Sequence, residues 1–189
     1  MVTLPDLLER VRALNVDALA SAVKEEPEAF VEPAFRCEDG SLAVEGPFDL
    51  PLRADLVQRE GDHAGDSVMV DPPRMVTFES LSFRIEQCHL SLEPFGWDNA
   101  LVVARPLTLS AVTPLRDWFL RWFDPEDEAE LHEDGLYHVV HFLSDPEEAD
   151  GALQFIVDFG SAPVDAFDAL IDTLITQGAT HIAVSHSPH

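Results

Sequence analysis

The chain has 189 residues, 46% of them hydrophobic, and carries 36 Asp and Glu against 11 Lys and Arg, a formal net charge of −25. A field of that sign repels nucleic-acid backbones and anionic membranes, so no nucleic-acid partner is expected. The apolar runs are short, as at 100–104, whereas a bilayer span needs about 20 apolar residues, so no membrane segment is expected either.

Residues 1–10 lack a basic start ahead of an apolar run, which reads as no export signal and a cytoplasmic location. Cys37 and Cys88 have no close spacing. They offer neither a CxxC metal signature nor a disulfide framework, and are expected as two reduced, buried thiols. Lys24 is the only lysine. An acidic, lysine-poor chain suits either a basic protein partner or a saline habitat, and net charge does not decide between them.

In chain order, Thr3 reads as a helix cap with Pro5 and Asp6 in the first turn, followed by Leu4, Leu7, Leu8, Val11 and Leu14 at helical spacing. Asn15 is placed to interrupt this helix and cap a second one carrying Val16, Leu19 and Val23, which Pro27 ends. From 30 to 112 helical periodicity fades, and short β-rich runs alternate with Gly, Pro and Asp. Strands are expected over 41–45, 50–58, 75–85, 88–93 and 101–104, together an antiparallel meander. Thr113-Pro114 opens a helix with Leu115, Trp118 and Trp122 on one stripe and Phe119 and Phe123 on the next. Residues 124–134 hold seven acids, read as a solvated loop. Residues 136–143 and 153–159 read as a β-hairpin. A helix follows with Val164, Phe167, Leu170, Ile171 and Leu174 inward and Asp165, Asp168 and Asp172 outward. Gly178 closes it, and 181–185 forms a last strand. The class is therefore α+β, one domain over 1–189 with a helical part at 1–26, a β-rich part at 30–112 and an α/β part at 113–189.

Several constellations invite a chemical reading. His138 and His141 are spaced as H-x-x-H, but in a strand an offset of three puts them on opposite faces, so no shared metal is expected. The run from Asp124 places Ala129 and Gly135 where a calcium loop needs Gly and Glu, so that pattern fails. Asp158-Phe159-Gly160 spells the magnesium-binding tripeptide of protein kinases, yet no HRD loop or glycine-rich strand pair accompanies it, and the match reads as chance. Gly160-Ser161 ahead of a helix reads as capping and not as an anion site. No G-x-S-x-G, H-E-x-x-H, Walker or GxGxxG motif is present.

No cofactor and no metal are expected from these patterns. The preferred functional expectation is a non-catalytic, acidic, cytoplasmic binding protein of the inhibitor, immunity or adaptor kind that engages a basic protein. Trp118 and Trp122 would be its anchors and Glu126, Asp127, Glu128 and Glu130 its steering carboxylates. The alternative is a small enzyme or ligand-binding domain whose site is assembled from dispersed residues, with His89, His138, His141 and Asp158 as candidates by residue type.

Overall fold

A computed structural model describes residues 3–188. The chain opens with α1 (Leu4–Glu25), a single continuous helix. Thr3 and Asp6 close its N-terminus as a reciprocal capping box. The expected break at Asn15 is absent. Asn15 is buried on the packed face instead, and its side-chain amide donates to the carbonyl of Gly160 at 2.8 Å.

Five two-residue strands follow: β1 (Phe30–Val31), β2 (Val44–Glu45), β3 (Leu50–Pro51), β4 (Leu56–Val57) and β5 (Ser67–Val68). They form one small sheet in the order β1-β4-β5 and a separate β2-β3 pair. The longer strands expected over 41–45 and 50–58 are cut to these fragments; Gly46 and Pro47 lie in the turn between β2 and β3, and β3 ends at Pro51. The block at 75–85 likewise shortens to β6 (Leu81–Ile85).

The main sheet contains β6, β7 (Cys88–Leu92), β8 (Ala100–Arg105), β9 (Phe142–Leu143), β10 (Glu147–Ala149), β11 (Ala152–Asp158) and β12 (His181–His186). Its order is β10-β11-β8-β12-β7-β6, with β9 also pairing β11. The last strand thus inserts between β7 and β8, parallel to the first and antiparallel to the second. Alternation is clean along β7, where Cys88, Leu90 and Leu92 are buried and His89 and Ser91 exposed.

A 3₁₀ turn (Leu109–Ala111) leads into α2 (Val112–Phe123), and α3 (Val164–Thr176) connects β11 to β12. Phe167, Leu170, Ile171 and Leu174 of α3 are buried, and Asp165, Asp168 and Asp172 face water, as the periodicity requires. Gly178 adopts φ +99 just past the helix end. The three helices and the inner sheet face share one core with Phe95, Trp97, Phe119, Phe123 and Phe159 at its centre. The class is α+β, with an N-terminal helix and a C-terminal hairpin–helix–strand unit. Among the described residues no helix is long and apolar enough to cross a membrane.

Residues 136–141, expected as strand, have no regular structure, and His138 takes φ +59. Cys37 is exposed; only Cys88 is buried.

Candidate functional site

Two main-chain pairings, far apart in sequence, meet under the small β1-β4-β5 sheet. In the first, the amide of Glu32 donates to the carbonyl of Asp55 at 2.8 Å, which sets these two acids side by side. In the second, the amide of His141 donates to the carbonyl of Asp158 at 3.0 Å. The amide of Arg53 then joins the two pairs by donating to the carbonyl of His141 at 3.0 Å. Four titratable side chains converge as a result.

His141 is at their centre, with its side chain 1% exposed. Its Nε2–H donates to Oε1 of Glu32 at 2.7 Å and its Nδ1–H to Oδ1 of Asp55 at 3.0 Å, with Oδ2 of Asp158 3.9 Å from Nδ1. Glu32 is wholly buried and adopts φ +46, a costly conformation for a residue with a side chain. Its other carboxylate oxygen accepts the amide of Tyr137 at 2.7 Å. The side chains of Asp55 and Asp158 keep 17% and 25% of their surface exposed, so together they form a lip open to solvent above a buried imidazole.

The backbone is shaped for this ring. Gly160 has φ +53, and a Cβ there would fall on the His141 imidazole. Ser161, expected to cap α3, is buried and turned inward, its Oγ accepting the amide of Val139 at 3.2 Å. The residue at the start of α3 is Pro163, which makes no side-chain cap.

The electrostatics follow from burial and pairing. Burial by itself would lower the pKa of His141. The hydrogen bonds to Asp55 and Glu32, with the charges of Glu32 and Asp158, outweigh it and raise the pKa to about 10. For Glu32 burial pushes upward, but its bonds to His141, Ser161 and Tyr137 hold the carboxyl below its ordinary range. Asp158 is raised to about 7, first by burial and then by the carboxylates of Asp55 and Asp98, against the pull of His141. Asp98 is raised by burial, with Asp71 and Asp55 adding to the shift.

Asp98 also lines a cleft of about 170 Å³ together with Trp97, Phe95, Asn15, Arg74 and His186. The carbonyl of Trp97 accepts the amide of Phe159, the residue after Asp158, at 2.9 Å, but neither Asp158 nor His141 lines this cleft. Its volume is below the usual range of about 300–1,000 Å³ for drug-sized ligands, so it suits a small molecule. A larger cleft of about 320 Å³ near Phe30 and Leu131 is lined by Glu32, Arg53, Asp124 and Asp127, with Asp127 paired to Arg53 and Arg59 lying over the Phe30 ring.

The proposed anchor segment is placed differently from a free surface. Trp118 is 4% exposed, and its indole N–H donates to the carbonyl of Ala166 at 2.9 Å, which makes it core. Trp122 is half-buried. Asp127 bridges Arg36 and Arg53, each at 2.7 Å. Those bonds hold its carboxyl below the ordinary range despite partial burial. Glu126, Glu128 and Glu130 are exposed.

Of the four dispersed candidates, His141 and Asp158 come together. His89 lies on the open sheet face, stacked on His181 with ring centroids 5.3 Å apart. His138 bonds Asp134 at 2.8 Å and stacks on His132. Glu32 and Asp55 were missed. Glu32 did carry a signal, as a single acid in the otherwise apolar stretch 29–35. Asp55 carried none.

Comparison with models of known protein families, with curated proteins and with solved structures yields no match.

Proposed function

We propose that this chain is a small enzyme or ligand-binding domain whose working site is the lip formed by Asp55 and Asp158 above His141. The observation that carries this reading is the convergence of His141 with Glu32, Asp55 and Asp158. Burying an ion pair is costly, and a hydrophobic cluster of the same volume would serve stability as well or better. Clusters of titratable groups with opposed shifts beside a cleft are characteristic of functional sites. The two free cysteines suit a reducing compartment, in keeping with a cytoplasmic location.

The acidic-surface alternative retains Trp122, Glu126, Glu128 and Glu130, whereas Trp118 and Asp127 have structural partners. Amide chemical shifts of the isotope-labelled chain, titrated with a library of small carboxylic acids, amides, amines and phosphates and with a short oligo-lysine peptide, separate the two. Small-molecule shifts gathered at residues 55, 98, 141 and 158 are the expected result. Saturable binding of the peptide at 122–130, with no small-molecule response at the lip, would overturn the proposal.

A further inference from the structure

We propose that the lip holds a divalent first-row transition ion, ligated by Nδ1 of His141, Oδ1 of Asp55 and Oδ2 of Asp158. The inference rests on the working site proposed above and gives it a cofactor.

The donor set has the right spacing. The three atoms all lie within 4.8 Å of one another, with Nδ1 3.0 Å from Asp55 and 3.9 Å from Asp158. Metal–ligand bonds of about 2.0–2.2 Å place neighbouring donors roughly 3–3.5 Å apart, so Asp55 already fits and Asp158 has to move inward.

The outer layer is also in place. Metal-bound histidines almost always give their second ring N–H to a carboxylate or carbonyl, and Glu32 takes the Nε2–H of His141 at 2.7 Å. Each carboxylate ligand has its remaining oxygen fixed by a backbone amide. Oδ2 of Asp55 accepts Val70 N–H at 2.8 Å, and Oδ1 of Asp158 accepts Gly160 N–H at 2.8 Å. The inward oxygens are thereby aimed at Nδ1, and the exposed lip leaves further coordination positions open.

One imidazole with two carboxylates suits manganese, iron or zinc better than calcium or magnesium, which favour all-oxygen shells. On binding, the ion takes the place of the Nδ1 proton, which leaves to solvent. The Nε2–H stays on the ring and continues to donate to Glu32.

The test is calorimetric titration of the full chain, stripped of metals and freed of chelator, with MnCl₂ and ZnCl₂, and with MgCl₂ and CaCl₂ for comparison. One saturable site that favours Mn²⁺ or Zn²⁺ is expected. Asp55→Asn and Asp158→Asn should each weaken it by about tenfold or more, and Glu32→Gln by about 10–100-fold with all three ligands retained. His138→Gln and His181→Gln should leave it unchanged. Absence of a saturable site, or affinity that survives both Asp→Asn changes in folded protein, would overturn the inference. Should a variant fail to fold, Mn²⁺-induced broadening of wild-type amides decides: strongest at 55, 141 and 158 supports the site, and strongest at 124–138 overturns it. Small molecules binding at the lip without any metal site would sink this inference alone; a lip that binds neither would sink the parent reading too.

Discussion

Glu32 and His141 are 109 residues apart in sequence and share a 2.7 Å hydrogen bond between side chains that are 0% and 1% exposed. This contact ties the small N-terminal sheet to the loop between α2 and β9. Removing one partner leaves the other buried and unmatched, a loss of about 3–5 kcal/mol. His141→Ala is therefore expected to lower the urea-unfolding free energy by that order. Glu32→Gln should cost less, because the amide still accepts from the ring. Equal, small losses below about 1 kcal/mol in both variants would show the pair is not formed.

The pH dependence has a definite sign. His141 is raised from 6.5 to about 10, so the folded chain holds a proton that the unfolded chain releases between those values. Its contribution is complete below pH 6.5 and disappears as pH rises through about 10. In metal-free buffer, stability should fall between pH 7 and 10 with a slope of up to about 1.4 kcal/mol per pH unit from this group. Other groups contribute as well, since burial raises the Cys88 thiol above its ordinary value. The informative quantity is the difference between wild type and His141→Gln, and parallel pH profiles would contradict the assignment.

Gly160 offers a steric test. Its φ is +53 and a Cβ would strike the His141 ring, whereas Gly151 has φ +68 with nothing within 4 Å. Gly151→Ala should cost only the backbone penalty, about 1–2 kcal/mol. Gly160→Ala should cost clearly more and disturb the imidazole. The checks are the two melting temperatures and the His141 ring resonances. Equal losses would mean the ring is not packed on Gly160.

Much of the outer frame was legible in the sequence. The α3 stripe of Phe167, Leu170, Ile171 and Leu174 and the glycine stop at Gly178 follow helical period and capping chemistry, which are local. The site was not legible as a set. His141 and Asp158 could be named by type, but Glu32 and Asp55 enter through long-range pairing of two-residue strands, which leaves no periodic trace. Asn15 misled for a related reason. A mid-helix Asn resembles a cap until a distant carbonyl, here that of Gly160, claims its amide. The order of the sheet, with β12 between β7 and β8, is likewise a tertiary choice.

The acidic run divides into structural and free carboxylates. Asp127 holds the buried guanidinium of Arg53, which also donates to the carbonyls of Phe123, Glu32 and Asp124. Asp127→Asn should therefore destabilise the chain, while the exposed Glu128→Gln should be neutral or slightly stabilising, because it relieves repulsion at a net charge of −25. Chemical denaturation of the two variants in low salt compares them directly. Identical midpoints would show that the Arg53 clamp holds without Asp127.

Whether Asp55, His141 and Asp158 form one ion-binding centre is decided by anomalous diffraction from crystals of the full chain grown with MnCl₂. A manganese peak between Nδ1 of His141 and the inward oxygens of Asp55 and Asp158, with Glu32 still bonded to Nε2, is the expected result. Manganese found only at His132 and His138, or along the exposed acids at 126–130, with His141 bonded as it is here, would contradict it.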